Sequence, residues 1–419
     1  MHQNAFRRSQ VCRPAKSFPE RQFVVCVLLA VIAWSCRAVA EEPGRLLELQ
    51  DATATYTGRI VTKNETHCYL LSPFGEMVCL KTSDLVAFRV IADEFRPASQ
   101  AEFRRKLQDE FQTGYTVETS AHYVVVGRKG RTRIYCNLFE NIYRQIVSFY
   151  SIRGFRPTDP ETALVAIVFG TQQEFADYCS KDGVEWSKDL RGYYSLRSNR
   201  VVLYDDPEML KSATATAANS GRGGMGTPAG NIADSARSKE FSSVAGETAS
   251  IIVHETTHQV GFNIGIHSRI SETPAWLIEG LATVLEAPGI RGRSKSSANR
   301  TNPSRLAWFS TDYSQRRQPG DLAKLIASDE MFQTQPLDAY STAWAFSYFL
   351  SENPARARLF ARYLKKVSER EPMTPYPPEE RLKDLKSVMG DISRLEVDFL
   401  RAADEWEQDD QPVVASGTR

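Results

Sequence analysis

VHETTHQV, residues 253–260, is the stretch from which the rest of the chain can be read. His254 and His258 are four apart, so on a helix both imidazoles share one face and can reach a single ion. Glu255 lies beside them, placed to take a proton from a water held there. The preceding SSVAGETASIIV (242–253) is compatible with a helix, and Gly261 reads as its stop. The pentad alone settles little, because a histidine pair on a helix also occurs in cores and on surfaces. A third ligand downstream is what decides.

PAWLIEGLATVLE (274–286) offers one. Trp276, Leu277, Leu281 and Leu285 are apolar at helical spacing, which buries the segment. Glu279 lies on it, and a buried carboxylate is costly unless paired or metal-bound. Gly280 beside it is small enough to let a second helix approach closely. Two histidines and one glutamate that leave a fourth position open form a catalytic zinc set. The competing reading of Glu279 is a surface acid on an amphipathic helix. Thr283, one turn on, could hydrogen-bond a ligand histidine, and Glu286, two turns on, could help orient the groups around the ligands or an arginine.

His254-Glu255-x-x-His258 followed by W-L-x-E-G-x-A-x-x-x-E resembles the gluzincin metallopeptidases, the second segment most of all their aminopeptidase branch. HETTHQVGFNIG together with PAWLIEGLATVLE is similar to a group of exported bacterial proteins classed as a domain of unknown function. The likeness is strong over 244–286, looser over 110–206 and 339–350, and absent from 41–96. It implies a zincin-like fold with Zn2+ on His254, His258 and Glu279, Glu255 as general base, and a peptide or protein substrate. It implies no particular substrate, and the aminopeptidase signature GxMEN is missing, so that specificity does not carry over. In gluzincins a tyrosine from the downstream helical part often donates to the developing oxyanion, which makes Tyr340 in AYSTAW the candidate; a core tyrosine is the alternative. Substrate in such enzymes usually lies along an edge strand, and RVVLYDD (200–206) is the segment proposed for it. His267, in the loop GFNIGIHSRISETP, reads as a surface residue rather than a ligand.

The bulk of the chain fits this reading without demanding it. With 419 residues, 42% hydrophobic and 25% charged, the chain can bury a sizeable core and fits two or three domains. A net charge of +1 favours neither nucleic acid nor an anionic membrane as a partner. The N-terminus carries Arg7, Arg8, Arg13, Lys16 and Arg21, then FVVCVLLAVIAWSC (23–36) and Ala38-Val39-Ala40. Basic segment, short apolar run and A-x-A site are the parts of an export signal over 1–40. The run is shorter than the roughly 20 residues a spanning helix needs. Membrane contact is expected only if that signal stays uncleaved; the mature protein is expected in the periplasm, cell envelope or outside the cell.

Past the signal remain Cys68, Cys79, Cys136 and Cys179, an even number in an exported chain. Folding about the turn-rich Ser72-Pro73-Phe74-Gly75 sets Cys68 opposite Cys79, the expected first disulfide. Cys136–Cys179 follows by elimination. Residues 41–96 read as a small all-β module, with strands in TYTGRIVT, HCYLLS, EMVCLK and LVAFRVI. From 97 to 290 the order strand, helix, strand, helix, hairpin predicts a mixed sheet with helices packed on it, interrupted by an Ala/Gly/Ser/Thr-rich loop over 212–240. That loop is either a lid or a tolerated insertion. Residues 291–407 read as a helical lobe broken at Asn353-Pro354, and 408–419 as a disordered tail. The whole is α+β. The expected function is zinc-dependent peptide hydrolysis; the alternative is a binding or envelope scaffold on the same fold without turnover.

Overall fold

Short β-branched and aromatic runs separated by turn residues build the first part of the molecule. The computed structural model describes residues 44–111, 113–205, 246–292 and 299–410. The expected signal at 1–40, the loop at 212–240 and the end of the tail therefore lie outside the described residues. Five strands, β1 (Leu46–Asp51), β2 (Thr55–Lys63), β3 (His67–Leu71), β4 (Met77–Lys81) and β5 (Leu85–Ala92), form one sheet in the order β4-β3-β2-β1-β5. Leu49, Cys68, Leu70 and Leu80 form its small core. β1 is the strand that sequence reading passes over. LLELQD has no β-branched residue, and only the ladders to β2 and β5 hold it extended.

The β3–β4 register overturns the expected Cys68–Cys79 disulfide. The connection is a three-residue loop in which the Gly75 N–H donates to the Ser72 carbonyl and the Ser72 N–H to that of Glu76. Gly75, at φ 79°, takes the left-handed conformation and adds one residue to the turn. Cys68 consequently faces Leu80, and Cys79 faces Tyr69. A one-residue slip moves a side chain to the opposite face. Cys68 is a free, buried thiol.

From Ala98 onward the chain forms a second compact unit. β6 (Tyr115–Thr119), β7 (Tyr123–Arg128), β8 (Leu164–Phe169), β9 (Gly192–Ser195) and β10 (Arg200–Tyr204) make a mixed sheet in the order β6-β7-β8-β10-β9. The three inner strands β7, β8 and β10 are parallel, and the outer two are antiparallel to their neighbours. The helices on it are α1 (Gln100–Glu110), α2 (Thr132–Ile152), α3 (Gln172–Asp182) and the motif helix α4 (Gly246–Asn263). Leu164, Ala166, Val168, Val201 and Leu203 face the core shared by α2 and α4. α3 packs on the other face, with Phe175 against Tyr193 and Tyr204.

That layering disposes of the second expected disulfide. Cys136 on α2 and Cys179 on α3 are both free and buried, with the sheet between them. Bridged cysteines need Cβ atoms about 3.8 Å apart, whereas a packed layer spans roughly 10 Å. The sheet order also corrects the proposed substrate strand. β10, which is RVVLY, lies between β8 and β9, and the edge is β9. The hairpin turns at Ser198-Asn199, so its first arm, not its second, ends outermost.

Beyond the sheet the unit is helical. α5 (Ala275–Glu286), α6 (Pro336–Glu352), α7 (Pro354–Ser368), α8 (Pro378–Met389) and α9 (Ile392–Asp410) are its longer elements, joined by short helical turns. The break between α6 and α7 falls at Asn353, whose side chain accepts from the Ala355 and Arg356 N–H groups. No helix among the described residues is long and apolar enough to cross a membrane.

α5 and α6 meet across Gly280. A Cβ there would sit 2.5 Å from the Ala343 carbonyl oxygen and closer still to Ser347 Oγ. Only glycine lets the two axes approach this far. Gly280→Val is therefore expected to destabilise the protein by about 1–3 kcal/mol or more. Denaturant melts of the purified variant measure this, and a midpoint unchanged from wild type would show that the packing can relax.

Candidate metal centre

α4 is the axis of the site, and its sequence explains its position. Residues 251–262 are buried on every side, so the helix runs through the interior rather than along a surface. Gln259 fixes its roll: Nε2 donates to the Val165 carbonyl on β8 at 3.0 Å and to the Asn199 carbonyl at 2.8 Å. At the C-terminal end, Asn263 and Asn199 exchange side-chain amide bonds of 2.7 and 2.9 Å. The helix continues past Gly261 to Asn263, and Gly265 at φ 81° follows. Gly261 has a different use from the expected stop. A Cβ there would meet the His267 ring at 2.9 Å.

His267 is thus an interior residue, packed on Phe262, and not the surface residue its loop suggests. Burial pushes its imidazole down to about 3, so it is neutral. It has no place in the metal cluster.

α5 brings the third donor. Its first N–H, at Ala275, donates to Asp329 Oδ1 at 3.0 Å, and Arg381 Nη1 holds the same oxygen at 2.9 Å. At its far end Arg291 donates to the Glu286 carbonyl at 3.0 Å and to Gln145 at 3.0 Å. Pinned at both ends, α5 places Glu279, 1% exposed, against the motif helix. His254 Nε2 lies 3.2 Å from Glu279 Oε2, and His258 Nε2 lies 3.7 Å from Oε1. One donor atom from each of His254, His258 and Glu279 falls within 4.8 Å of the other two, and all three residues are buried. Ligands at about 2.0–2.1 Å in a tetrahedron are separated by about 3.4 Å, so this donor set fits a small divalent ion. These three residues could hold a metal.

The surroundings match the same chemistry. Burial, then the neighbouring His254 and His267 imidazoles, hold His258 well below the usual histidine range, in the neutral form that ligates metals. Burial alone would lower His254 too, but Glu279 and Glu286 carboxylates raise it well above that range. Glu286 Oε1 accepts from His254 Nδ1 at 2.8 Å, which aims Nε2 at the cluster. Its other oxygen accepts from Asn302 Nδ2 at 2.9 Å. Thr283 does otherwise than expected: its hydroxyl donates to the Glu279 carbonyl at 2.7 Å, within its own helix, and not to a histidine.

Glu255 lines the adjoining cleft with its carboxyl buried. Burial pushes it up to about 7, the Glu279 and Glu286 charges adding to the rise, with His254 and the Tyr194 backbone N–H opposing it. Tyr194 is on β9, so the edge strand passes beside this carboxylate. Tyr340 on α6 lines the same cleft, and its phenol is raised well above the usual range by burial and then by Glu279. The cleft holds about 400 Å³, with Ser250 and Ile251 of α4 on one side and 301–305 on the other.

Asn302 and Arg305 are the residues that sequence reading missed. They sit in a short polar stretch without periodicity, where nothing local marks contact with the site. If Asn302 fixes Glu286 and Glu286 fixes His254, then Glu286→Ala and Asn302→Ala weaken metal binding by about 10–100-fold without removing a ligand. Competition against a chromophoric chelator measures it, and wild-type affinity in both variants would reject the chain of contacts.

Residues 248–374 match the model of a family described as a protein of unknown function, DUF1570. The matched stretch begins just before the motif helix and ends past α7, so it contains the three donors, Glu255, Glu286, Asn302 and Tyr340. No curated protein matches the chain.

Proposed function

We propose that the protein is an exported zinc metallopeptidase. The observation that carries the reading is the convergence of two imidazole nitrogens and one carboxylate, with a second acid, Glu255, outside the donor set beside them on the cleft wall. When bound, zinc supplies Lewis-acid polarisation of the scissile carbonyl and acidifies a water. The protein's own residues do the rest. His254 and His258 offer imidazole nitrogens from one helix face, and Glu286 keeps the His254 ring in place. Glu255 takes the proton of the attacking water and returns it to the leaving amine.

Tyr340 is our candidate donor to the oxyanion, a reading supported by the closeness of its hydroxyl to Glu279 and its position on the cleft wall. A peptide bound along β9, the outermost strand of this sheet among the described residues, would pass Glu255, using the main-chain pairing of an edge strand. The test joins metal analysis of purified protein to digestion of a peptide library, with and without a chelator. Stoichiometric zinc with chelator-sensitive cleavage supports the proposal. Protein without metal overturns it, and metal without cleavage points to a binding protein on the same fold.

A further inference from the structure

Among the described residues lining the cleft, Arg305 is the one permanent cation. Its neighbours in sequence and space are committed elsewhere: Arg291 to α5 carbonyls and Gln145, Arg300 to Glu352, Arg316 to Asp338. Arg305 forms no ion pair with a carboxylate among the described residues. Its guanidinium carbon instead lies 5.3 Å from the centre of the Tyr340 ring. An arginine laid on an aromatic face keeps its donor fork in a fixed plane, suited to binding a carboxylate through two parallel bonds.

Two further features favour an oxygen ligand here. Thr301 lines the same wall, is 4% exposed, and its Oγ1 has no hydrogen-bond partner among the described residues. Tyr340 sets the distance. Its ring carries Arg305 and its hydroxyl faces Glu279, so one aromatic side chain separates the guanidinium from the metal ligands. An extended peptide advances about 3.3–3.6 Å per residue, so that span covers one or two residues.

We propose that Arg305 recognises a substrate carboxylate one or two residues from the bond that is cut, making it a specificity determinant of the peptidase. The carboxylate is a free C-terminus or an Asp or Glu side chain. The proposal rests on the peptidase reading and deepens it.

The test compares wild type, Arg305→Gln and Arg305→Lys, all zinc-loaded, on matched peptides. One pair carries a C-terminal acid or its amide; a second pair carries Glu or Gln beside the cleavage site. Wild type is expected to prefer the carboxylate member of one pair through KM. Arg305→Gln should raise that KM by about 10–100-fold and erase the preference, as loss of a charge-assisted contact does, and Arg305→Lys should restore part of it. The pair that shows the preference identifies the source of the carboxylate. Equal preference in wild type and Arg305→Gln, or no preference in wild type, overturns the proposal. If wild type holds zinc but cuts nothing, the peptidase reading fails separately. Calorimetric binding of the same peptides then decides about Arg305: an acid preference lost in Arg305→Gln sustains it, and equal binding of acid and amide ends it.

Discussion

Glu255→Gln is expected to leave metal content at the wild-type level and to lower peptide hydrolysis by about 10²–10⁴-fold. The substitution keeps the shape of a side chain that is 2% exposed and removes only its ability to accept a proton. The three residues that could hold a metal are His254, His258 and Glu279, so none of them is touched. Glu255 is flanked by the Tyr194 N–H and by the carboxylates of Glu279 and Glu286. A neutral amide relieves the repulsion from those two acids, so the fold should be no less stable. Metal analysis and turnover on one peptide, measured on the same preparation, give the comparison. Undiminished turnover would remove Glu255 from the mechanism and with it the reading of the site as a hydrolase.

Glu279→Ala is expected to abolish retention of metal through dialysis, where wild type should keep about one equivalent. The remaining pair, His254 and His258, leaves a small ion two protein donors in place of three. The loss has a second readout in stability. An ion bound to the folded state alone stabilises by about 4 kcal/mol at a thousandfold excess over its dissociation constant. Added zinc should therefore raise the melting temperature of wild type and leave that of Glu279→Ala where it was. An equal rise in both proteins would place the metal elsewhere.

Much of the fold is legible in the residues. YVVVG, TALVAIVFG and the helix over 135–152 carry periodicities strong enough to survive any context, and each appears as an element of the second sheet or its cover. β1 is less visible because LLELQD gains its extended form from neighbours in the ladder, and β6 because YTVET, though rich in strand formers, is only five residues long. The site divides in the same way. His254, Glu255, His258 and Glu279 announce themselves by helical spacing, since spacing on one helix is a local property. The contact of Glu286 with His254 joins residues on two helices, and its partner Asn302 comes from a stretch without pattern.

The sequence by itself determined the helix that carries the histidines, the buried helix that carries Glu279, and the α+β order around them. Those follow from periodicity, composition and turn chemistry, which are read within a few residues. Tertiary structure decided the rest. One extra residue at Gly75 put Cys68 and Cys79 on opposite faces, and a sheet came to lie between Cys136 and Cys179. The hairpin made β9 the edge and β10 an interior strand. Close passage of α6 over Gly280 set the α6 wall, which carries Tyr340 with Arg305 against its ring. Each of these depends on how far apart two surfaces pack or which way a strand turns, and such distances belong to pairs of elements rather than to any one of them.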